Sequence, residues 1–191
     1  MIQTKYINEE TPYTGVELIS HWIFNNFDIP GNAIVGFTGP CDVSINNMVD
    51  LLDVKNNDKI YSPRMLHFIA EFFDHNLEMM VHRQRLFIHA LKEELEEQAI
   101  PGRLFRDGDD LYHIGIAGVK RKLTVSIATR SPVSVLMHTG INILTQGTPV
   151  PTSGLGELGI EPVSFAHKVM DRFKKEMESI KQACYKVKAV D

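Results

Sequence analysis

Three short segments carry residue types able to do chemistry. The first is Gly108-Asp109-Asp110-Leu111-Tyr112, and the second is Arg121-Lys122-Leu123. A carboxylate pair beside a lysine can hold Mg²⁺ and phosphate oxygens while the ammonium polarises a carboxylate or carbonyl group. The third, His138-Thr139-Gly140-Ile141-Asn142, lies in an otherwise apolar run. There Gly140 permits a close backbone approach, which a bound ligand also requires. Cys41 follows the turn-like Gly39-Pro40. It is a nucleophile if a lysine beside it favours the thiolate, and otherwise a small apolar filler. The bland alternatives stand beside these: Asp109-Asp110 as an ordinary turn, Lys122 as a solvated strand residue, His138 as a hydrogen-bonded core histidine. His82 and His89 are not spaced as a helical zinc pair, and with His67 and His75 they form no recognised signature, so no metal ligands are expected.

Elements must bring these segments together. Met1 to Tyr13 reads as a polar edge strand, Val16 to Phe27 as a short helix, and Ala33 to Phe37 as a buried strand ending at Thr38-Gly39-Pro40. Ser62-Pro63 has the form of a helix start, whereas Met65 to Phe73 is apolar at both alternations, as in a strand buried on two faces. Leu77 to Gln98 shows one apolar face, including Met80, Phe87, Leu91 and Leu95, and Pro101-Gly102 stops it. Asp110 to Ile116 and Lys122 to Thr129 are expected as one antiparallel hairpin beside a strand at Val135 to Leu144. Finding the two helical, or in separate sheets, would rule out the family resemblance given below. Period-two alternation puts Lys122, Thr124 and Ser126 on one concave face. A Pro/Gly-rich connection from Gly147 to Gly159 leads to a last helix at about Pro162 to Gln182. This order of elements predicts an α+β fold, a central, mostly antiparallel sheet backed by helices on one face.

The chain is 191 residues long, which suits a single domain spanning 1–191 and a core that needs no staple. The net charge is −4 and basic tracts are absent, which argues against nucleic-acid binding. Two distant cysteines suit a reducing compartment, and no apolar run reaches the ~20 residues of a membrane span. With no signal-like N-terminus either, the expected location is cytoplasmic and no membrane partner is expected.

The same three segments resemble the biotin protein ligases, which carry W-P-N-D-[IL]-Y, then R-K-L-x-G-I, then a strand reading G-I-N. Here Asp109-Asp110-Leu111-Tyr112, Arg121 to Ile127 and Gly140-Ile141-Asn142 follow in the same order at similar spacing. Lipoyl ligases and octanoyl transferases share the lysine and often place a histidine before the glycine of the later strand, as His138 stands here. The chain as a whole is identified as a member of the archaeal and bacterial family designated domain of unknown function 366. The resemblance implies a biotin/lipoyl-ligase-like fold, akin to class II aminoacyl-tRNA synthetases. It implies that Lys122 contacts an acyl carboxylate and activated phosphate, and that Asp109 and Asp110 lie near ATP and Mg²⁺. Thr38, Gly39, Ser126, His138, Gly140 and Asn142 would line the ligand site. The implied partners are a small carboxylic acid or acyl thioester and an acyl-carrier-type protein. In the thioester route Cys41 is the nucleophile and Lys122 the base.

One departure separates two functional readings. Where biotin ligases close their site with a Gly-Arg-Gly-Arg-x-Gly loop, this chain has Thr38-Gly39-Pro40-Cys41-Asp42-Val43. The retained lysine and the Gly-Ile-Asn strand favour an acyl or adenylyl transferase. The arginine-free loop favours a non-catalytic ligand- or protein-binding module that keeps the fold. Fold alone does not choose between them.

Overall fold

The computed structural model describes residues 2–190; Met1 and Asp191, the ends of the span read as one domain, lie outside it. Among the described residues, five strands form the main sheet. They are β1 (Gln3–Ile7), β2 (Ala33–Val43), β3 (Ile60–Phe72), β7 (Thr124–Arg130) and β8 (Val135–Leu144), in the order β1-β2-β3-β8-β7. β1 runs parallel to β2 and every other pairing is antiparallel. A second, three-stranded antiparallel sheet is built from β4 (Arg103–Asp107), β5 (Asp110–Ile114) and β6 (Lys120–Lys122). Helices α1 (Trp22–Phe27), α2 (Leu51–Asn56), α3 (Leu77–Glu97) and α4 (Pro162–Tyr185) complete the fold. The expected α+β class and mostly antiparallel sheet are both present.

The central strands bury both faces. Leu66, Phe68 and Ala70 of β3 join Met137 and Ile141 of β8 beneath Phe87 and Leu91 of α3 and Phe173 of α4. Met65 and Ile69, on the other pleat of β3, pack with Val35 and Phe37 under Tyr13, Leu18 and Ile23. A strand covered on both sides favours apolar residues at both alternations, which is why Met65 to Phe73, His67 and Glu71 apart, shows no alternation. The helices hold each other through Arg172, whose Nε donates to Glu94 Oε1 at 2.6 Å and whose other nitrogens reach Glu93 and Glu97.

Several boundaries differ from expectation. Ser62-Pro63 opens no helix: both lie within β3, where the β2–β3 register shifts between Gly39 and Cys41. Pro63 and Pro40 fall in that irregularity, where neither is asked for a ladder N–H. Only Trp22–Phe27 of the helix expected from Val16 is helical, because His21 adopts a left-handed conformation and gives its N–H to Glu71 Oε1 at 2.8 Å. The edge strand is confined to Gln3–Ile7 within the expected span, while Tyr13 forms a lone bridge to Cys41.

The expected hairpin is the main correction. Asp110–Ile114 pairs with Lys120–Lys122 in the small sheet, whereas Thr124–Arg130 pairs with β8 in the main sheet. The chain changes partner at Leu123. Its N–H bonds the carbonyl of Leu111 at 2.8 Å, and its own carbonyl accepts from Asn142 N at 3.0 Å. One strand therefore serves two sheets: of the expected Lys122 to Thr129 only Lys122 pairs with β5, joined by Arg121 and Lys120 ahead of it.

Candidate functional site

The switch at Leu123 places the end of the small sheet over the main sheet, and a cavity of about 680 Å³ lies between them. Its volume falls in the range of small-ligand sites. Asp110, Tyr112, Lys120 and Lys122 share one face of the small sheet, since Lys122 stands opposite Tyr112 and Lys120 opposite Ile114. The floor is the main sheet, with Met65, Val125, Ile127, His138 and Asn142. Asp50, Asp53 and Lys59 stand at the rim contributed by α2 and its flanks.

Lys122 Nζ lies 2.7 Å from Asp110 Oδ2. Its backbone is pinned as well: the N–H donates to Pro151 O at 2.9 Å, and the carbonyl accepts from Ser153 N at 3.0 Å. The Pro/Gly-rich segment thus acts as a strap along β6. Burial raises the pKa of Asp110, and the Lys122 ammonium partly offsets it. Asp53 is raised for the same first reason, with Asp50 and Asp58 adding negative charge and Lys122 opposing them. Lys120 sits over the Tyr112 ring, 3.9 Å from its centroid, so its charge is held at the wall by a cation–π contact.

The floor contains a histidine pair. His67 Nδ1 and His138 Nε2 are 3.0 Å apart, and His67 Nε2 is 3.2 Å from the carbonyl oxygen of Gly39. Tyr13 stacks on His138 with ring centroids 3.5 Å apart and an interplanar angle of 5°. Burial lowers the pKa of His67 to about 4 and that of His138 well below the usual imidazole value.

The sequence-predicted residues divide into two groups. Lys122, Asp110, His138 and Asn142 meet at the cavity, and Asn142 also fixes the strand switch through Nδ2, which donates to Leu123 O at 3.2 Å. Cys41 lines the wall but is fully buried, and burial pushes its thiol up to about 12. It is therefore a thiol, not a thiolate, at neutral pH. Asp109 borders the cavity while its carboxylate is engaged by α3, with Arg85 Nη1 at 2.7 Å and Gln84 Nε2 at 2.9 Å. Ser126 also borders it, yet its Oγ contacts Gln84 Nε2 and Thr139 Oγ1. The shared concave face expected for Lys122, Thr124 and Ser126 does not form. Thr124 is buried with its Oγ1 accepting from Leu111 N, and the sheet change at Leu123 separates Lys122 from the alternation of β7.

Thr38, Gly39 and Gly140 have structural surroundings. Thr38 pairs with Leu66 on the helix-covered face, away from the cavity. A Cβ at Gly39 would come within 1.9 Å of Thr11 O, so glycine lets the Thr11–Tyr13 backbone lie against β2. At Gly140 the corresponding space is taken by the Met65 methyl, 2.9 Å away. Tyr112, part of the first segment, also lines the cavity, whereas Tyr13, Met65 and His67 carry no site signal of their own in the sequence. The partner of His67 across the sheet cannot be read without the β3–β8 register.

Mg²⁺ fails a fit to these residues. The two carboxylates expected to hold it are turned to different partners, Asp109 to Arg85 and Asp110 to Lys122. Among the described residues no group of three or more His, Cys, Asp or Glu side chains is arranged for a metal ion. Among the described residues no arginine lines the cavity.

A family profile described as "Domain of unknown function (DUF366)" matches residues 2–188. The chain belongs to this family. A solved protein of unknown function from Pyrococcus horikoshi is 36% identical, with all of both chains covered and a TM-score of 0.92. The apo biotin protein ligase of Aquifex aeolicus superposes with a TM-score of 0.60 at 15% identity, over 95% of this chain and 72% of that one. A bipartite lipoate protein ligase from Thermoplasma acidophilum gives 0.57 at 12% identity, over 92% of this chain and 84% of its own. The DUF366 chain thus has the biotin/lipoyl-ligase-like fold. The expectation that separate sheets for β5 and β7 would rule out the family is thereby overturned: the two lie in different sheets, yet the family profile matches and the fold is shared. Among the described residues no helix is long and apolar enough to cross a membrane.

Proposed function

We propose that this DUF366 protein binds a small carboxylic acid or its acyl thioester, with Lys122 as the carboxylate anchor, and acts in acyl transfer. The observation that carries this reading is the position of Lys122: a lysine oriented by Asp110 at one wall of a cavity whose floor is mainly apolar. An ammonium so placed holds a carboxylate or carbonyl oxygen as a point charge, while Val125, Ile127 and Met65 offer surface to an acyl chain. The folds it resembles include a biotin ligase solved with biotin and ATP and a lipoate ligase studied with its lipoyl domain. By analogy the acceptor is a carrier-type protein. The covalent route through Cys41 loses support from the burial of its thiol. Activation through Asp109, Asp110 and Mg²⁺ finds no support in the carboxylate geometry.

A second reading, a ligand-binding module without catalysis, is favoured by the arginine-free cavity and by the attachment of Asp109 to α3. A thermal-shift screen separates acid binding from its absence, using octanoate, lipoate and biotin, each with and without ATP-Mg²⁺. Stabilisation by an acid, lost in Lys122→Met, supports the anchor. Stabilisation that survives the substitution rejects it. Acyl transfer itself is tested by incubating the protein with an octanoyl or lipoyl thioester and a lipoyl carrier domain. Intact mass then reports whether acyl groups reach the carrier, and their absence leaves the binding module.

A further inference from the structure

The histidine pair on the cavity floor has a hydrogen-bond polarity that the neighbouring groups dictate. The Gly39 carbonyl can only accept, so the 3.2 Å contact requires a proton on His67 Nε2. Burial keeps the His67 ring neutral, which leaves its Nδ1 as a lone pair. The 3.0 Å contact between His67 Nδ1 and His138 Nε2 then requires the proton on His138 Nε2. His138 is also neutral by burial, so its Nδ1 is a bare acceptor. That atom has no protein partner among the described residues, and it is not closed off from the cavity that His138 lines. The Tyr13 ring stacked on the imidazole, and Met65 in the space beside Gly140, hold the ring in this orientation. Water can satisfy an acceptor open to the cavity, so a ligand that displaces that water without supplying a donor loses a hydrogen bond, and one that supplies a donor keeps it.

We infer that His138 Nδ1 is a specificity element, and that the acid bound in this cavity carries an O–H or N–H donor on its tail. The tail is therefore polar at one point, unlike a plain saturated fatty acyl chain. Gly39, His67 and His138 form a relay that fixes the direction of that hydrogen bond from the backbone outward. The inference rests on the acid-binding reading of the cavity and names the class of acid.

The test compares the protein's affinity for octanoate, ω-hydroxyoctanoate and biotin, by thermal shift and calorimetry. The expected result is tighter binding of at least one donor-bearing acid than of octanoate, by about tenfold. In His138→Phe that preference should disappear, and in His138→Asn, whose amide oxygen stands near the Nδ1 position, part of it should return. Nitrogen NMR of the histidine rings reports the tautomers independently of any ligand and of the variants' stability. A proton on His138 Nδ1 would overturn the inference. So would equal or tighter binding of octanoate, with the acid reading left standing. If none of the acids binds, the acid reading falls and takes this inference with it.

Discussion

Lys122 and Asp110 form an ion pair with Nζ 2.7 Å from Oδ2, both side chains more than seventy per cent buried on the same face of the small sheet. The pair sets the charge that an incoming carboxylate meets. Replacing Lys122 by Met leaves Asp110 without its cation, which should cost about 1–3 kcal/mol of stability and reduce binding of simple acids by about tenfold or more. Asp110→Asn keeps the ammonium and removes a competing negative charge. It should strengthen acid binding roughly three- to tenfold. Calorimetry on both variants, against denaturant melts for stability, checks the opposite signs.

Cys41 and Cys184 should differ sharply in reactivity. Cys184 is exposed, whereas Cys41 is buried with its thiol pushed up to about 12. At neutral pH iodoacetamide should label Cys184 alone, and Cys41 should react only after denaturation. Peptide mapping by mass spectrometry reads this directly. Rapid labelling of Cys41 in the folded protein would restore the covalent route.

Stability should fall as the solution is acidified from neutrality, before most carboxylates titrate. His67 has a folded pKa lowered to about 4 from its ordinary 6.5, so the unfolded chain binds the proton first. The contribution is therefore complete above about pH 6.5 and is lost progressively as pH falls toward about 4. His138 adds in the same direction. Melting temperature against pH should slope upward through this window. The slope should flatten when both histidines are replaced by phenylalanine.

Gly39→Ala should be among the more damaging single-methyl additions, because its Cβ would sit 1.9 Å from the Thr11 carbonyl oxygen. Relief requires the Thr11–Tyr13 segment to lift, breaking the bonds from Thr11 N to Thr38 O and from Tyr13 N to Pro40 O. A loss of about 2–4 kcal/mol follows from overpacking plus those bonds, measurable by chemical denaturation. Gly118→Ala is a control for the chemistry of the change: nothing lies within 4 Å of its Cβ, although its positive φ carries a small strain of its own.

The long elements were legible because burial wrote them into the residue pattern. Leu77–Glu97 matches the span of its apolar face to within one residue, and β8 occupies Val135–Leu144 of the apolar run that begins at Val133. What the pattern hid is exposed or shared. Arg103–Asp107 is largely solvent-facing and shows no alternation, so β4 passed unseen; so did the short, exposed α2. The change of sheet at Leu123 leaves no composition signal, since the residue is apolar in either role. Lys122, Asp110, His138 and Asn142 could be singled out by type and order, and they do meet at one cavity. Their supporting partners could not, because His67, Tyr13 and Met65 acquire meaning only from register across strands distant in sequence.

The stack of Tyr13 on His138 has an optical consequence. A phenol ring 3.5 Å from an imidazole and parallel to it senses the electron distribution of that ring. Any donor that engages Nδ1 draws density from the imidazole, and the near-ultraviolet absorption and circular dichroism of Tyr13 should shift with it. The buried phenol, whose own ionisation is pushed upward by burial, stays protonated throughout and adds no competing titration. The molecule thus contains a built-in chromophore on the floor of its cavity, and occupancy can be followed there without a label.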